Sequence, residues 1–380
     1  MTNEPHDEHF MREALALARS AAGRTAPNPA VGAVIVSDGR IVGRGTTRPA
    51  GGPHAEVIAL GEAGLAARGA TLYVSLEPCS HHGRTPPCTE AVVAAGITRV
   101  VSAMVDPFPA VNGSGIDYLR QAGLSVDVGI CGDDARRINA GFAMRLRTGR
   151  PLVIAKYAMT LDGRIATRTG HSQWITGPDA RLEAHRLRDR VDALLVGAGT
   201  IVADDPLLTT RLSPDLAGDG GPHHPLRVVV DGRGVTPLSA RVLDPTLPGD
   251  TLVATTDAAP ADWRNAIVQT GGDLFIAGPG PRVDLEALLG ELGQRGCNEI
   301  LVEGGGQLLG AFFDTGLIDR IAAFVAPVLV GGTDAMGPIG GHGIGTMEAA
   351  WHLRNRSVRQ LGNDLLIEGD LVRPADSGGA

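Results

Sequence analysis

Aromatic side chains and cysteines are scarce in this chain of 380 residues. Only 3% of the residues are aromatic and four are cysteines, whereas 53 are glycines. Few aromatics leave few platforms on which nucleic-acid bases can stack, and four cysteines in so long a chain are too sparse for a disulfide scaffold. The two scarcities argue against a nucleic-acid-binding protein and against a disulfide-rich secreted protein.

Acidic residues outnumber basic ones, and the formal net charge is −8 at pH 7. Gripping DNA or RNA phosphates requires many Lys and Arg side chains, so we expect no nucleic-acid partner, although one small basic pocket for a phosphorylated metabolite is compatible with this charge. The chain has no apolar run of about 18 residues, and its polar start, MTNEPHDEHF, is unlike a signal peptide. The sequence therefore predicts a soluble cytoplasmic protein with no membrane partner.

Strand-like and helix-like patterns alternate along the chain, and 43% of the residues are hydrophobic, enough for two cores. In the first half, helix patterns occupy residues 7–22, 54–65, 90–95 and 116–122, and strand patterns occupy 31–36, 40–45, 71–76 and 98–105. In the second half, strand patterns recur at 152–157, 193–196, 226–230, 251–254, 299–302 and 320–325. Thr176 is the expected N-cap of a further helix, with Pro178 in its first turn.

Alternation of this kind predicts α/β sheets with crossover connections. The basic stretch RLRTGRP, at 145–151, is the expected boundary between two such sheets. We therefore predict domains at 1–148 and 149–371, followed by a disordered tail at 372–380.

Potential metal ligands are concentrated in VSLEPCSHHGRTPPCTE, residues 74–90, which could be a disulfide loop, a structural zinc knuckle or part of a catalytic metal site. His54, Cys79 and Cys88 would give zinc one imidazole and two thiolates and leave a fourth tetrahedral position for water. Glu56, two residues after His54, could lie beside the metal without binding it and transfer protons. Zinc-dependent base deaminases use this combination, although the two cysteines here are nine positions apart rather than three. We predict a catalytic zinc site.

His81 and His82 are the rival ligands in this stretch. We prefer an interpretation in which they, together with Arg84, face the substrate from a polar loop. Cys131 and Cys297 are interpreted as core or surface thiols, because neither belongs to the cluster of ligand types.

Three strings in the first half resemble the deaminase half of the bifunctional riboflavin-biosynthesis proteins: APNPAVG at 26–32, GPHAE at 52–56 and LEPCSHHGRTPPCTEAVVAAGI at 76–97. The resemblance implies a cytidine-deaminase-like three-layer domain in which Asn28 contacts the pyrimidine substrate. One departure is Phe108 in DPFP, where the family usually has Asp-Pro-Asn-Pro, which weakens any assignment of polar substrate contacts to that loop.

Three fragments of the second half follow predicted strands, where α/β sheets place their binding loops: KYAMTLDGR at 156–164, GAGTIVADDP at 197–206 and EGGG at 303–306. The glycines at 304–306 open a predicted helix whose free N–H groups could hold a phosphate. GAGTIV is not the G-x-G-x-x-G fingerprint, because residue 202 is Val. The residues alone predict a small-molecule domain that could bind a dinucleotide.

The strings SQWIT at 172–176, VADDPLLTTR at 202–211 and VEGGG at 302–306 resemble the reductase half of the same family, which implies a dihydrofolate-reductase-like α/β domain that uses NADPH. The resemblance assigns to the cofactor Ala158, Trp174, Thr200, Asp204, Gly305, Gly306 and Gln307. It assigns to the substrate Ser172, Arg188, Leu208, Arg211 and Glu303, with Lys156 and Asp162 as further pocket candidates. Arg188 and Arg211 would hold a ribose 5-phosphate by bidentate, charge-assisted hydrogen bonds.

The resemblance implies two successive reactions. A zinc-dependent hydrolytic deamination of 2,5-diamino-6-ribosylamino-4(3H)-pyrimidinone 5′-phosphate would be followed by NADPH-dependent reduction of the ribosyl side chain to ribityl. It also implies a homodimer or higher homo-oligomer. The rival interpretations are a nucleic-acid-editing zinc deaminase with an accessory binding domain, a non-catalytic zinc-stabilised module, and an enzyme that has lost one of the two activities.

Overall fold

The chain divides into two compact units, which meet in sequence between Gly149 and Arg150. A computed structural model describes residues 4–82, 86–217 and 220–374. Most of the predicted tail lies outside the described residues, and its first residue, Val372, ends a strand. The described residues contain no helix that combines the length and the apolar character needed to cross a membrane.

The first unit is a five-stranded sheet with helices on both faces. Its strands are β1 Gly32–Ser37, β2 Arg40–Thr46, β3 Thr71–Val74, β4 Arg99–Ser102 and β5 Ser125–Val128. Its helices are α1 Glu4–Ala21, α2 Ala55–Ala63, α3 Cys88–Ala94, α4 Ser114–Gln121, α5 Gly132–Ile138 and α6 Ala140–Thr148. The strand order is β2-β1-β3-β4-β5, with β1 antiparallel to both neighbours and β3, β4 and β5 parallel.

Strand alternation explains the three layers of this unit. Successive side chains of a strand point to opposite faces of the sheet. Ala33 and Ile35 of β1 accordingly pack with the apolar residues of α2, α3 and α4, whereas Val34 and Val36 pack with those of α1 and α5. Both faces are therefore buried under helices, as the predicted fold class requires.

Several boundaries in this unit differ from the predicted ones. His54 is the N-cap of α2 rather than its first residue. α3 begins at Cys88, two residues before the predicted start, with Pro87 as its N-cap. β5, α5 and α6 were not predicted, and residues 145–148 of the expected linker belong to α6. The sequence does not predict the strand β5, because its four residues, SVDV, are too few and too polar to show the alternating apolar pattern of a strand.

The second unit is built on a nine-stranded sheet in the order β10-β9-β8-β7-β11-β6-β12-β14-β13. Its strands are β6 Leu152–Thr160, β7 Ala193–Gly197, β8 Leu226–Val230, β9 Thr251–Thr255, β10 Asp273–Ile276, β11 Glu299–Glu303, β12 Arg320–Ala326, β13 His352–Leu361 and β14 Asp364–Val372. Its helices are α7 Pro178–Arg190, α8 Ala198–Asp204, α9 Pro214–Ala217, α10 Ala261–Gln269, α11 Leu285–Gln294 and α12 Gly306–Asp314.

The strands from β10 to β12 in this order run parallel, so their carboxyl ends share one edge of the sheet. The insertion of β11 between β6 and β7 pairs Glu303 with Lys156 in register. Ligands of open α/β sheets bind at this edge. The topology therefore gathers the residues that end β6, β7 and β11 at one potential binding site.

Two sequence predictions for this unit are corrected. The N-cap of α7 is Gly177, not Thr176, and its N–H donates to Oδ2 of Asp364 at 2.7 Å. The strands β10, β13 and β14 were not predicted. β13, with the sequence HLRNRSVRQL, is largely exposed and charged and therefore lacks the alternating apolar pattern of a half-buried strand.

Candidate functional site

Three potential metal ligands converge in the first unit. The ligand atoms of His54, Cys79 and Cys88 all lie within 4.8 Å of one another. Nδ1 of His54 is 3.2 Å from Sγ of Cys88 and 3.5 Å from Sγ of Cys79. Nitrogen and sulfur ligands of a tetrahedral zinc ion, bound at about 2.0 and 2.3 Å, lie about 3.5 Å apart. The donors and their spacing therefore fit a zinc ion with three protein ligands.

The rival ligands lie elsewhere. In the part of the chain that the structure describes, no other His, Cys, Asp or Glu joins the group. The ring of His81 lies against Phe108, with 5.7 Å between the centroids, and Nε2 of His82 lies 3.4 Å from Glu90. Three protein ligands leave the fourth zinc position open, which is the arrangement of catalytic rather than structural zinc sites.

A buried carboxyl lies beside this group. Glu56, in the first turn of α2, is only 3% exposed. Burial, assisted by the negative charge of Cys79, raises the pKa of Glu56 to about 7. Hydrogen bonds from Cys88 and from His54 lower the pKa of Cys79, which favours the thiolate form that a zinc ligand requires. A carboxyl with a pKa near neutrality can both accept and release a proton, as a general acid–base requires.

A second buried carboxylate, which the sequence did not single out, fixes the loop that carries Cys79. Glu77 is 3% exposed. It accepts four backbone N–H groups at 2.8–3.2 Å, those of Asp106, Gly113, Gly115 and Ile116. A Cβ on Gly115 would lie 2.0 Å from the carbonyl oxygen of Pro78, so only glycine fits there. The one sequence signal for this role is an acidic residue at the end of a buried strand, next to Pro-Cys.

In the second unit, the end of β11 carries an ion pair that faces β6. Nε and Nη2 of Arg188 donate to the two carboxylate oxygens of Glu303 at 2.9 and 2.7 Å, and Nζ of Lys156 lies 4.0 Å from the same carboxylate. Burial alone would raise the pKa of Glu303, but the charges of Arg188 and Lys156 lower it to about 2. All three residues were expected in the reductase pocket from the resemblance, and the fold brings them together.

A glycine turn lies next to this ion pair. The turn after β11 has Gly304 at φ 144°, and a Cβ on this residue would lie 3.3 Å from Oγ1 of Thr200 in α8. Gly305 is the N-cap of α12, whose first N–H groups are free of helical partners. Four of the predicted cofactor residues therefore lie at one turn at the carboxyl edge of the sheet: Thr200, Gly305, Gly306 and Gln307.

Two family profiles match the chain. Residues 4–104 match the cytidine and deoxycytidylate deaminase zinc-binding region, and residues 151–367 match the RibD C-terminal domain. The riboflavin biosynthesis protein RibD of Aquifex aeolicus (strain VF5) is 42% identical over 361 residues, which cover 95% of this chain and 97% of that relative. The chain belongs to the bifunctional riboflavin-biosynthesis protein family.

Further relatives agree with this membership. RibD of Escherichia coli (strain K12) is 42% identical over 368 residues, covering 95% of this chain and 98% of the relative. The structure of Acinetobacter baumannii RibD superposes with a TM-score of 0.85 at 38% identity, with 98% of this chain and 99% of that chain covered. A diaminohydroxyphosphoribosylaminopyrimidine deaminase/5-amino-6-(5-phosphoribosylamino)uracil reductase from Thermotoga maritima gives 0.83 at 32% identity, covering 97% and 99%.

Family membership confirms the predicted fold class and the pair of activities. The enzyme is a bifunctional hydrolase and oxidoreductase of riboflavin biosynthesis, with a zinc-dependent deaminase and an NADPH-dependent reductase. The residue assignments within each site remain predictions.

The family's pyrimidine-pocket segment lies in the loop between α1 and β1. Asn28, the predicted substrate contact, is half-buried in this loop. The N–H of Ala30 donates to Oδ1 of Asn139 at 3.0 Å, and Nη2 of Arg145 donates to the carbonyl oxygen of Pro27 at 2.6 Å. Residues from α6 and from the turn before it thus hold the backbone on both sides of Asn28. Arg84 lies outside the described residues.

The remaining predicted residues of the reductase unit are spread over its loops. Trp174 is 69% exposed and stacks under the guanidinium of Arg181 at 4.7 Å. Leu208 has φ 54° and is buried. Ala158 and Ser172 are half-buried, and Asp204 is exposed at the end of α8.

The loops after β6 and β12 line an open pocket of about 430 Å³. Its lining residues are Thr167, Arg168, Thr169, His171, Val330, Gly331 and Gly332. Asp162 organises the two loops, because its carboxylate accepts the hydroxyl of Thr160 at 2.5 Å and the N–H of Gly331 at 2.7 Å. Asp162 therefore ties together the two loops that line this pocket.

Proposed function

We propose that the first unit deaminates 2,5-diamino-6-ribosylamino-4(3H)-pyrimidinone 5′-phosphate at C2. The observation that carries this proposal is the convergence of His54, Cys79 and Cys88 beside the buried carboxyl of Glu56. A zinc ion held by these three ligands would supply Lewis acidity and lower the pKa of a water molecule. Asn28 would contact the pyrimidine from its half-buried loop.

Glu56 would carry the proton in this reaction. Its carboxylate accepts a proton from the attacking water as the C2–O bond forms and delivers it to the ring nitrogen that was doubly bonded to C2. It then accepts the remaining proton of the new C2 hydroxyl and delivers it to the exocyclic nitrogen as the C2–N bond breaks. Ammonia leaves and C2 becomes a carbonyl carbon. Because Glu56 is buried, each proton is retained at the site between its two transfers.

We propose that the second unit reduces the ribosyl group of the deaminated nucleotide to ribityl, which yields 5-amino-6-ribitylamino-uracil 5′-phosphate. NADPH would supply the hydride, with Ala158, Trp174, Thr200, Asp204 and residues 305–307 on the cofactor side. Ser172, Leu208, Arg211 and Glu303 would lie on the substrate side. Arg188 donates two hydrogen bonds to Glu303, so its proposed role is to orient that carboxylate. Arg211 is the proposed ligand of the substrate phosphate.

The two proposals assign residues 1–148 to the deaminase and 149–371 to the reductase. Mass-resolved turnover of the diamino-pyrimidine nucleotide tests both. Without NADPH we expect accumulation of the product that has exchanged an amino group for oxygen, and with NADPH a further gain of two hydrogen atoms. A chain that has lost one activity would stop at the first product or return the substrate unchanged, and either result contradicts the corresponding proposal.

Replacement of one zinc ligand provides a separate test. Cys88→Ser removes one of the two thiolates, so we expect zinc to be lost on dialysis and ammonia release to fall to background. Cys297→Ser is the matched control, because Cys297 is a buried cysteine of the other unit. Elemental analysis of both proteins measures the metal, and full zinc occupancy in Cys88→Ser would contradict the assigned ligand set.

A further inference from the structure

One face of α7 contacts the reductase site at three points. Arg181, His185 and Arg188 are spaced at i, i+4 and i+7 and therefore lie on the same side of the helix. Arg181 stacks on Trp174 at 4.7 Å, His185 binds the backbone of Arg211, and Arg188 pairs with Glu303. Of these three helix residues, only Arg188 was expected from the sequence, whereas Arg181 and His185 were not.

α7 also holds the segment from Thr209 to Arg211 at both ends. Nη1 of Arg188 donates to the carbonyl oxygen of Thr209 at 3.2 Å, and the backbone N–H of Arg211 donates to Nδ1 of His185 at 3.2 Å. A ring nitrogen that accepts an N–H carries no proton of its own, so the proton of the neutral imidazole is on Nε2. The backbone position of Arg211 therefore depends directly on the His185 ring.

The surroundings of His185 keep its ring neutral. Burial is the largest cause that lowers the pKa of His185, and the positive charges of Arg188, Arg211 and Lys156 lower it further. The negative charge of Glu303 acts in the opposite direction, and the resulting pKa is about 4. At neutral pH, Nδ1 is thus a permanent hydrogen-bond acceptor.

The guanidinium of Arg211 is the unpaired cation of this group. Lys156 and Arg188 share the carboxylate of Glu303, whereas the Arg211 guanidinium has no hydrogen-bond or ion-pair partner in the described ranges of the chain. Burial and the charges of Arg188 and Arg241 lower the pKa of Arg211. Arg211 therefore adds a positive charge next to that of Arg188 that no carboxylate of the described residues pairs with, and an anionic ligand would neutralise it.

We propose that His185 is a positioning residue of the reductase: its Nδ1 fixes the backbone of Arg211 and so directs that guanidinium toward the phosphate of the substrate. The inference rests on the proposed reductase function and names a residue that this proposal does not contain. It also separates the roles of the two arginines. Arg188 orients Glu303 and Thr209, and Arg211 receives the anion.

Steady-state kinetics of the full-length enzyme with the deaminated nucleotide test the inference. His185→Leu removes the acceptor, and we expect KM to rise about three- to tenfold, as for the loss of one hydrogen bond, with kcat changed by less than about twofold. His185→Asn places an amide oxygen near the position of Nδ1 and should restore KM to within about twofold of wild type. An unchanged KM in His185→Leu, or a fall in kcat alone, would overturn the proposal.

Binding of ribose 5-phosphate, compared with ribose, gives a readout that needs neither NADPH nor turnover. We expect calorimetry to show a preference for the phosphorylated sugar in wild type, a reduced preference in His185→Leu and in Arg211→Leu, and no further loss in the double variant, since both substitutions disable one contact. His352→Leu, on the exposed strand β13, is the matched control and should behave as wild type.

Failure of the inference about His185 and failure of the proposed reductase function would give different experimental results. A wild-type enzyme that reduces the nucleotide but does not prefer ribose 5-phosphate to ribose would overturn this inference alone. Additive losses in the double variant would do the same, because His185 would then act independently of Arg211. Absence of reduction by the wild-type enzyme would instead overturn the proposed function.

Discussion

Glu56→Gln is expected to slow ammonia release by about 10²- to 10⁴-fold, the usual contribution of a general acid–base. The substituted amide has nearly the same shape as the carboxyl but cannot carry a proton between the attacking water and the leaving amine. His54, Cys79 and Cys88 are unchanged, so zinc should stay bound. Ammonia release measures the first reaction, and elemental analysis measures the metal in the same preparation.

Glu62→Gln is the control for this variant, because Glu62 belongs to the same helix but is exposed and accepts the N–H of Arg44 at 2.9 Å. It should retain wild-type deamination. The reduction of externally supplied deaminated nucleotide should be normal in both variants, since Glu56 belongs to the first unit. Rapid ammonia release by zinc-loaded Glu56→Gln would refute the assigned role.

Glu303→Gln is expected to lower the free energy of unfolding of the second unit by about 3–5 kcal/mol, the usual cost of removing one partner of a buried ion pair. Arg188 would keep its charge without a carboxylate, and Lys156 would lose its counter-charge as well. Reductase kcat/KM should fall at the same time, because the carboxylate lies among the residues that we assign to the substrate.

Tryptophan fluorescence during urea unfolding is a suitable measurement, because all three tryptophans, Trp174, Trp263 and Trp351, belong to the second unit. Glu286→Gln, an exposed position in the first turn of α11, is the matched control and should unfold like wild type. If Glu303→Gln were as stable as this control, the ion pair would contribute nothing to the fold.

The stability difference should depend on pH in a defined direction. The pKa of Glu303 is lowered to about 2 in the folded enzyme, compared with about 4.3 for an unfolded chain. The ionised carboxylate of Glu303 therefore makes its full contribution to the free energy of unfolding above about pH 4.3. This contribution is lost as the pH falls toward 2. The wild type and Glu303→Gln should accordingly converge in stability over that acidic range.

Much of the deaminase site could be predicted from the sequence because its ligands lie in short, distinctive segments. His-Ala-Glu and Pro-Cys each carry their own chemical type and local structural context, and the structure brings His54, Cys79 and Cys88 within 4.8 Å of one another. Glu77 could not be recognised in this way. Its four N–H partners come from residues 106–116, and no local pattern shows that a distant loop will fold onto a given carboxylate.

The reductase site shows the same limit more clearly. Glu303 meets Lys156 only because β11 inserts between β6 and β7, a pairing that joins residues 147 positions apart. The sequence named Arg188 and Arg211 as equivalent phosphate ligands, whereas the structure pairs Arg188 with Glu303 and holds Arg211 through His185.

The sequence by itself determined the alternation of strands and helices, the identity of the zinc donors and the membership of a bifunctional family. These are properties of residue type and of short-range order, which local segments carry. Tertiary structure decided which charges are buried together, which arginine remains unpaired and which carboxylate keeps a pKa near neutrality. Those properties depend on desolvation and on distances between segments that only the folded chain brings into contact.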